Sequence, residues 1–347
     1  MSNQLLALKP DLEGLRRNLL REATPSRVFF FEHGIAANVK DALAQRCGVP
    51  LPGQDSPRAV WDFELALQRR LGFEVFRVWL PGAEYKVAGS LGIAWGEEHA
   101  GPIQTWDDVQ RYDWPDPSAV DFSQMEYYEA NLPEDMGVFH CVKLWEVVRE
   151  LLGLESFCLK MFEQPELVAE VIGRVGRFHV ALVEALCDFR ATFAVYAADD
   201  FGYKTGTMMA PQYIIENFLP WHQRMAEIAH RKGKLYFLHS CGKVDSLMDH
   251  LIDVVAIDAK HSFEETVVPV TEAKRRWGGR VALLGGLDID FVARRDPVQI
   301  RQLVRKTLEV CQPGGGYCLG LGNWVTDYIP PENYLAVLDE GRRFRLE

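Results

Sequence analysis

Short apolar runs recur along the chain and alternate with longer stretches whose apolar positions repeat every three to four residues. Arg27–Glu32, Phe73–Leu80, Gly137–Lys143, Phe193–Ala198, Leu235–His239, Val254–Asp258, Val281–Gly285 and Gly316–Leu319 are mostly apolar and short enough to be strands buried on both faces. Between them, Pro165–Leu186, Pro211–Lys232, Val244–Ile252, Thr271–Trp277 and Pro297–Cys311 carry the helical period. Several open on a proline that suits a first helical turn. A last helix is predicted over Pro331–Arg343, behind the Pro330–Pro331 pair. Eight strands in alternation with helices predict an α/β fold of the (β/α)8 TIM-barrel kind. The first half departs from that rhythm. Gly89, Gly92, Gly96 and Gly101 punctuate a hairpin expected over Glu84–Ile103, and Asp107–Asn131 reads as a loop and helix. No Pro-, Ser- or Gly-rich linker interrupts the pattern, so residues 1–347 read as one barrel domain with N-terminal decorations and a core over about 25–345.

Composition narrows the class. The 347 residues carry a formal net charge of −11, with 48% hydrophobic and 25% charged positions, and 9 Trp, 11 Tyr and 19 Phe supply ample apolar surface for a core. Disorder is excluded on that ground. The acidic balance argues against a nucleic-acid binder, which needs a basic stripe to neutralise phosphates. No uncharged apolar run approaches the ~20 residues of a membrane-spanning helix. Met1–Ala23 lacks the basic start and apolar middle of a secretory signal. Cys47, Cys141, Cys158, Cys187, Cys241, Cys311 and Cys318 are odd in number and widely spread, which is no disulfide framework; they predict a cytoplasmic protein with reduced, mostly buried thiols.

In a barrel of this kind the chemistry sits at the C-terminal ends of the strands, and ionisable residues gather there. Asp199 and Asp200 follow the fourth run, and His239, Ser240 and Cys241 end the fifth. Asp258, with Lys260 and His261, closes the sixth. Asp288 follows the seventh, Cys318 lies in the eighth, and Glu32 and His33 close the first. His239 and Cys241 form a His-x-Cys pair. The fifth and eighth runs face each other across a small barrel, which lets Cys318 join them. One imidazole and two thiolates suit Zn2+ with an open fourth position. The plainer reading is a chance His-x-Cys and a Cys318 that serves as a small buried hydrophobe; spacing does not choose between the two. Asp199 and Asp200 are the candidate catalytic carboxylates, as acid/base or ligand-orienting groups. Asp288 is a cavity acceptor or a helix cap. His261, beside Lys260 and Glu264, is a site residue or part of a solvated turn. His140 and Cys141 are strand neighbours that point to opposite faces, so at least one belongs to the core. Cys311, His179, His222, His230 and His250 fall on helices, outside the cavity. Trp95, Tyr203, Phe263 and Trp324 are placed at its mouth by position alone.

The strings FLHSCGKVDSLMDHLIDVVAID, LLGGLDIDF and PGGGYCLGLGNWVTDYIPPENYLAVLDEGRR resemble the uroporphyrinogen decarboxylase superfamily, over about residues 25–345 and most specifically over 190–345. The resemblance implies the same (β/α)8 fold that the strand count reaches separately. It also implies one of two activities. In the zinc-dependent, corrinoid-linked methyltransferases of the superfamily, of the methylcobamide:coenzyme M type, a His-x-Cys…Cys set holds the metal, and His239, Cys241 and Cys318 match that set. This branch implies Zn2+ and a corrinoid (methylcobalamin) as co-substrate, carried on a corrinoid-binding partner protein. A thiol or a methylated small molecule is then the other reactant. The alternative is the haem-pathway decarboxylase, whose hallmark is an N-terminal Met-Arg-Gln-Ala-Gly-Arg type of segment that binds the substrate's carboxylates. Here that region reads RVFFFEHG and holds no such arginine cluster, so the methyltransferase branch is the nearer expectation. The helical ring of such a barrel also offers a surface for a homodimer.

Overall fold

Seven strands form one parallel sheet in sequence order in the computed structural model, which describes residues 8–53, 56–86 and 99–346. They are β1 (Val75–Val78), β2 (Gly137–Val142), β3 (Thr192–Ala198), β4 (Leu235–His239), β5 (Ala259–His261), β6 (Ala282–Leu284) and β7 (Tyr317–Cys318). Neighbours pair in parallel, Val75 with Gly137, Ala198 with His239, His239 with His261, and Leu284 with Cys318. Every position of β2, β3 and β4 is buried, as strands covered on both faces require.

The sheet curls. Phe30, in the first apolar run, bridges in parallel to Leu319 just beyond β7. The Phe31 N–H donates to the Leu319 carbonyl at 3.0 Å, and the Leu319 N–H to the Phe29 carbonyl at 2.8 Å. Yet the Phe31 ring stacks at 5.2 Å on Phe139 of β2 and at 5.7 Å on Tyr196 of β3, and meets Phe237 of β4 edge-on at 5.9 Å. A residue beside β7 reaches rings on β2 to β4 only if the sheet rolls around an enclosed core. Phe29, Phe31, Phe139, Tyr196, Phe237, Leu284 and Cys318 belong to that inner cluster, and the helix Leu12–Leu19 adds Leu15 and Leu19 to it. Asn18 of the same helix donates to the Tyr317 carbonyl at 2.9 Å, which places the helix at the end of the sheet where β7 begins.

Helices cover the outside. Pro165–Leu186 buries Leu167, Val168, Val171, Ile172, Val175, Leu182, Val183 and Leu186 on one stripe, the spacing of a core-facing helix. Gly176 lets it approach the helix Leu219–Arg231: a Cβ at this glycine would lie 2.3 Å from the Trp221 indole.

Two runs differ from the sequence expectation. The sixth run, 254–258, precedes its strand; Ala256 sits at φ 62° and pairing begins at Ala259. Asp258 therefore stands at the N-terminal end of β5, where its carboxylate takes the Tyr236 N–H at 2.7 Å and lies 2.8 Å from His230 Nε2. His261 ends the strand in its place. The first run makes a single bridge rather than a strand. Most of the hairpin expected over Glu84–Ile103, and Trp95 with it, lies outside the described residues. Among the described residues no helix is long and apolar enough to cross a membrane.

Candidate metal centre

Three ligand-type atoms meet just past the C-terminal ends of β3 and β4: a carboxylate oxygen of Asp200, a ring nitrogen of His239 and the Sγ of Cys241, all within 4.8 Å of one another. His239 Nε2 lies 3.3 Å from Asp200 Oδ1 and 3.4 Å from Cys241 Sγ. Strand register explains the meeting. Ala198 pairs with His239, so two further residues on each strand bring Asp200 level with Cys241, whose N–H donates to Asp200 Oδ1 at 2.7 Å. Two glycines let the loops touch. Gly242 has φ 72°, and a Cβ there would lie 2.3 Å from the Gly202 carbonyl carbon; a Cβ on Gly202 would lie 2.5 Å from the Cys241 carbonyl oxygen. No side chain fits between backbones that close. The Lys243 N–H then donates to the Tyr203 carbonyl at 2.7 Å and pins the crossing.

The hydrogen-bond chain behind His239 sets its tautomer. His261 Nε2 faces the Leu321 carbonyl at 3.2 Å. A carbonyl only accepts, so that nitrogen carries the proton and His261 Nδ1 is bare. His239 Nδ1 lies 2.7 Å from this bare nitrogen and must donate to it. His239 Nε2 is then left unprotonated, its lone pair toward Asp200 and Cys241, which is the form that ligates a metal. The Tyr196 hydroxyl lies 2.8 Å from the same His261 nitrogen. Burial first, and then repulsion from His239 whenever that ring is charged, hold His261 well below the usual histidine range, so it stays neutral. His33 stacks on His239 at 5.2 Å and on Tyr196 at 5.1 Å, and its pKa is depressed by burial and by His239 and Arg77.

Charge at the centre is unevenly shared. Burial raises the Asp200 carboxyl, but the pull of His239 whenever that ring is charged, together with the Cys241 N–H, outweighs it and holds Asp200 well below the usual carboxylate range. Burial, followed by the Asp200 charge, pushes the Cys241 thiol up. A cation seated among these groups reverses that balance, because the thiolate gains a counter-charge. Asn323 Nδ2 lies 3.2 Å from Cys241 Sγ and donates toward it.

Other residues singled out by the sequence lie elsewhere. Cys318 is fully buried on β7 with its Sγ 3.7 Å from Asn18 Nδ2 of the N-terminal helix. Burial and then the Glu74 charge raise its thiol, and Glu74 immediately precedes β1. Cys318 thus belongs to the inner cluster, toward the end where the N-terminal helix packs, while Cys241 lies in the loop past β4, and the described residues place Cys318 outside the ligand group. Facing strands share an axis without sharing a height. Asp199 points away from the cavity. It accepts the Leu144 N–H at 3.0 Å and the Glu146 N–H at 3.1 Å at the start of the helix Trp145–Leu152, and His222 Nε2 lies 3.1 Å away. It anchors that helix, while Asp200, its neighbour in sequence, takes the other face. Asp288 caps the helix Ile289–Arg294 through the Phe291 N–H at 2.6 Å. Cys141 joins the inner cluster, while His140 Nδ1 lies 3.3 Å from the Val78 carbonyl. Tyr203 is exposed and Phe263 buried, and Trp324 meets His33 edge-on at 5.3 Å. The sequence reading left His261 and His33 undecided and passed over Tyr196 and Asn323. The step from Ala259 to His261 repeats the step from Phe237 to His239 one strand earlier, and that was the available signal.

A family model described as uroporphyrinogen decarboxylase (URO-D) matches residues 140–344, more than half of the chain. The chain belongs to the URO-D family. Curated relatives include the uroporphyrinogen decarboxylase of Thioalkalivibrio sulfidiphilus, 40% identical over 73 residues (21% of this chain and 20% of the relative). That of Paraburkholderia phytofirmans is 24% identical over 192 residues (53% and 48%). The matches thus span between a fifth and about half of those relatives' length. Among solved structures, a methyltransferase from Methanosarcina mazei superposes with a TM-score of 0.70 at 17% identity, over 97% of this chain and 99% of that one. A putative vitamin-B12 independent methionine synthase from Listeria monocytogenes does so with a TM-score of 0.51 at 11% identity, over 91% and 96%. Both likenesses are of fold.

Proposed function

We propose that the chain is a zinc-dependent methyltransferase, moving a methyl group between a corrinoid on a corrinoid-binding partner and a thiol or methylated small molecule. The observation that carries this reading is the convergence of His239 Nε2, Cys241 Sγ and the Asp200 carboxylate. One nitrogen, one sulfur and one carboxylate oxygen form a donor set that suits Zn2+ and leaves a fourth position for a substrate atom. Asp200, His239 and Cys241 would hold the ion, with Asp200 in the place expected for Cys318. Zinc bound there supplies the acidity that keeps a substrate thiol in its nucleophilic thiolate form. The chain's own groups do the rest. His261 fixes the His239 tautomer, and His33 and Trp324 form an aromatic wall beside the centre. We read the curled sheet as a (β/α)8 barrel with the first run as its remaining stave, which leaves the centre at the C-terminal mouth where a corrinoid can approach. The Methanosarcina mazei likeness in fold supports this reading. The second reading, a tetrapyrrole decarboxylase, has the names of the curated relatives in its favour.

Metal analysis of the purified protein tests the centre. About one Zn2+ per chain is expected. His239→Ala and Cys241→Ser lose most of it, while Cys318→Ser keeps it. Full zinc in folded Cys241→Ser overturns the ligand set. For the reaction, mixing the protein with methylcobalamin and candidate thiols should produce the absorption of Co(I). Silence with every thiol, together with chelator-resistant turnover of uroporphyrinogen, would select the decarboxylase.

A further inference from the structure

A cavity of about 240 Å3 lies beside the centre, lined among others by Glu32, Lys40, Glu64, Arg77, Trp79 and Trp324. Its charges are nearly all accounted for. Lys40 Nζ holds Glu64 at 2.7 Å, and Gln68 donates to the same carboxylate at 2.7 Å. Glu32 is buried, its Oε1 accepting the Leu321 N–H and the Tyr334 hydroxyl, each at 3.1 Å. Burial raises its pKa to about 8, so it is mostly uncharged at neutral pH. Arg77, on β1, is the exception. Its Nε is buried and has no hydrogen-bond partner. Its guanidinium lies over the Trp79 ring at 4.0 Å and 5.9 Å from the centre of the Trp324 ring. Among the described residues no carboxylate pairs with it. A half-buried cation held between indoles without an anion is costly as a structural device, but it suits a ligand that brings the anion with it.

Trp324, in the wall of the cavity, is separated from the centre by one ring, that of His33. Trp324 meets His33 edge-on at 5.3 Å, and His33 stacks on His239 at 5.2 Å. On the far side Lys143, exposed after β2, adds to the positive field that His33 feels. The centre therefore has an acidic flank at Asp200 and a cationic flank at Arg77. We infer that Arg77 binds a carboxylate on the small molecule handled at the Asp200–His239–Cys241 centre, with Trp79 and Trp324 gripping its apolar stem. The inference rests on the function proposed above and names the substrate class: a small carboxylated thiol, or its methylated form.

Calorimetric titration of the zinc-loaded protein tests it, with short straight-chain mercaptoalkanoates, the mercaptoalcohols of equal length, and alkanoates lacking the thiol. One charge-assisted pair corresponds to a preference of about tenfold or more for acid over alcohol. Arg77→Met should abolish that preference while zinc content and alcohol binding stay as in the wild type, and Arg77→Lys should restore part of it. Equal affinity for acid and alcohol in the wild type, or a preference that survives Arg77→Met, overturns the inference. The two readings fail differently. If the thiol adds nothing to alkanoate binding and chelation changes nothing, the metal reading falls while an Arg77-dependent carboxylate preference stands. If the thiol adds affinity but the carboxylate does not, only Arg77's role falls.

Discussion

His239 is placed to serve as a ligand by what stands behind it. Its Nδ1 has one place to put a proton, the bare nitrogen of His261 at 2.7 Å, and that nitrogen is bare because the Leu321 carbonyl occupies the other. His261→Phe keeps a ring in place but removes the acceptor. Zinc affinity measured by chelator competition should fall about 10–100-fold, the usual cost of losing such a supporting partner, and unchanged affinity would show that the tautomer is set elsewhere. Glu32 gives a second prediction at this scale. The pKa rises on folding from 4.5 to about 8 because the carboxyl is buried. The folded chain therefore keeps a proton that the unfolded chain gives up. The stability from this group is complete below pH 4.5 and is lost as pH climbs through about 8. Glu32→Gln removes the titration, so its urea midpoint should decline less than the wild type's across that window. Glu74, raised to about 7 by burial, titrates in both proteins and cancels in the comparison. An equal decline in both would mean that Glu32 is ionised in the fold. The sequence singled out His239 and Cys241 as candidate ligands and Asp200 as a candidate catalytic carboxylate, each of them within two residues of a strand end. Cys318, expected to join His239 and Cys241, lies outside their group among the described residues; its height in the rolled sheet depends on strand stagger, which residue spacing does not record.

At the scale of elements, the centre is made by two loops in backbone contact. Gly202 and Gly242 are the contact, and Gly242 also needs its positive φ. Gly242→Ala puts a methyl 2.3 Å from the Gly202 backbone and is expected to destabilise the fold by about 1–3 kcal/mol. Zinc should be lost from the molecules that remain folded, because the loop carrying Cys241 has to move. A variant of normal stability and normal zinc content would show that the loops have slack. The strand pattern was largely readable, since six of the eight runs coincide with observed strands to within a few residues. The run at 254–258 was apolar for another reason: it is the turn that feeds β5, with Val255 and Ile257 buried. Hydrophobicity marks burial, and here burial and strand pairing part company.

At the scale of the molecule, the two ends of the rolled sheet do different work. One end gathers ligand-type side chains, and the other is closed by the helix Leu12–Leu19, whose Leu15 and Leu19 are almost wholly buried. Leu19→Ala should lower stability by about 2–5 kcal/mol, as core truncations to alanine do. It should leave zinc per folded chain unchanged, since its damage is done at the far end from Cys241; metal loss in step with stability would join the two ends into one unit. The α/β alternation was visible from the sequence, and a rolled sheet was expected from it; the roll itself shows in contacts such as Phe31 with Phe139. The Phe30–Leu319 bridge has a consequence for a chain that is still being made. A ribosome adding ~5–20 residues/s needs on the order of 15–60 s to get from the first of these residues to the second. For that whole interval the Phe31 N–H and the Phe29 carbonyl lack the backbone they bond in the fold, and a newborn chain with that edge still open is the form of this protein that most needs a chaperone.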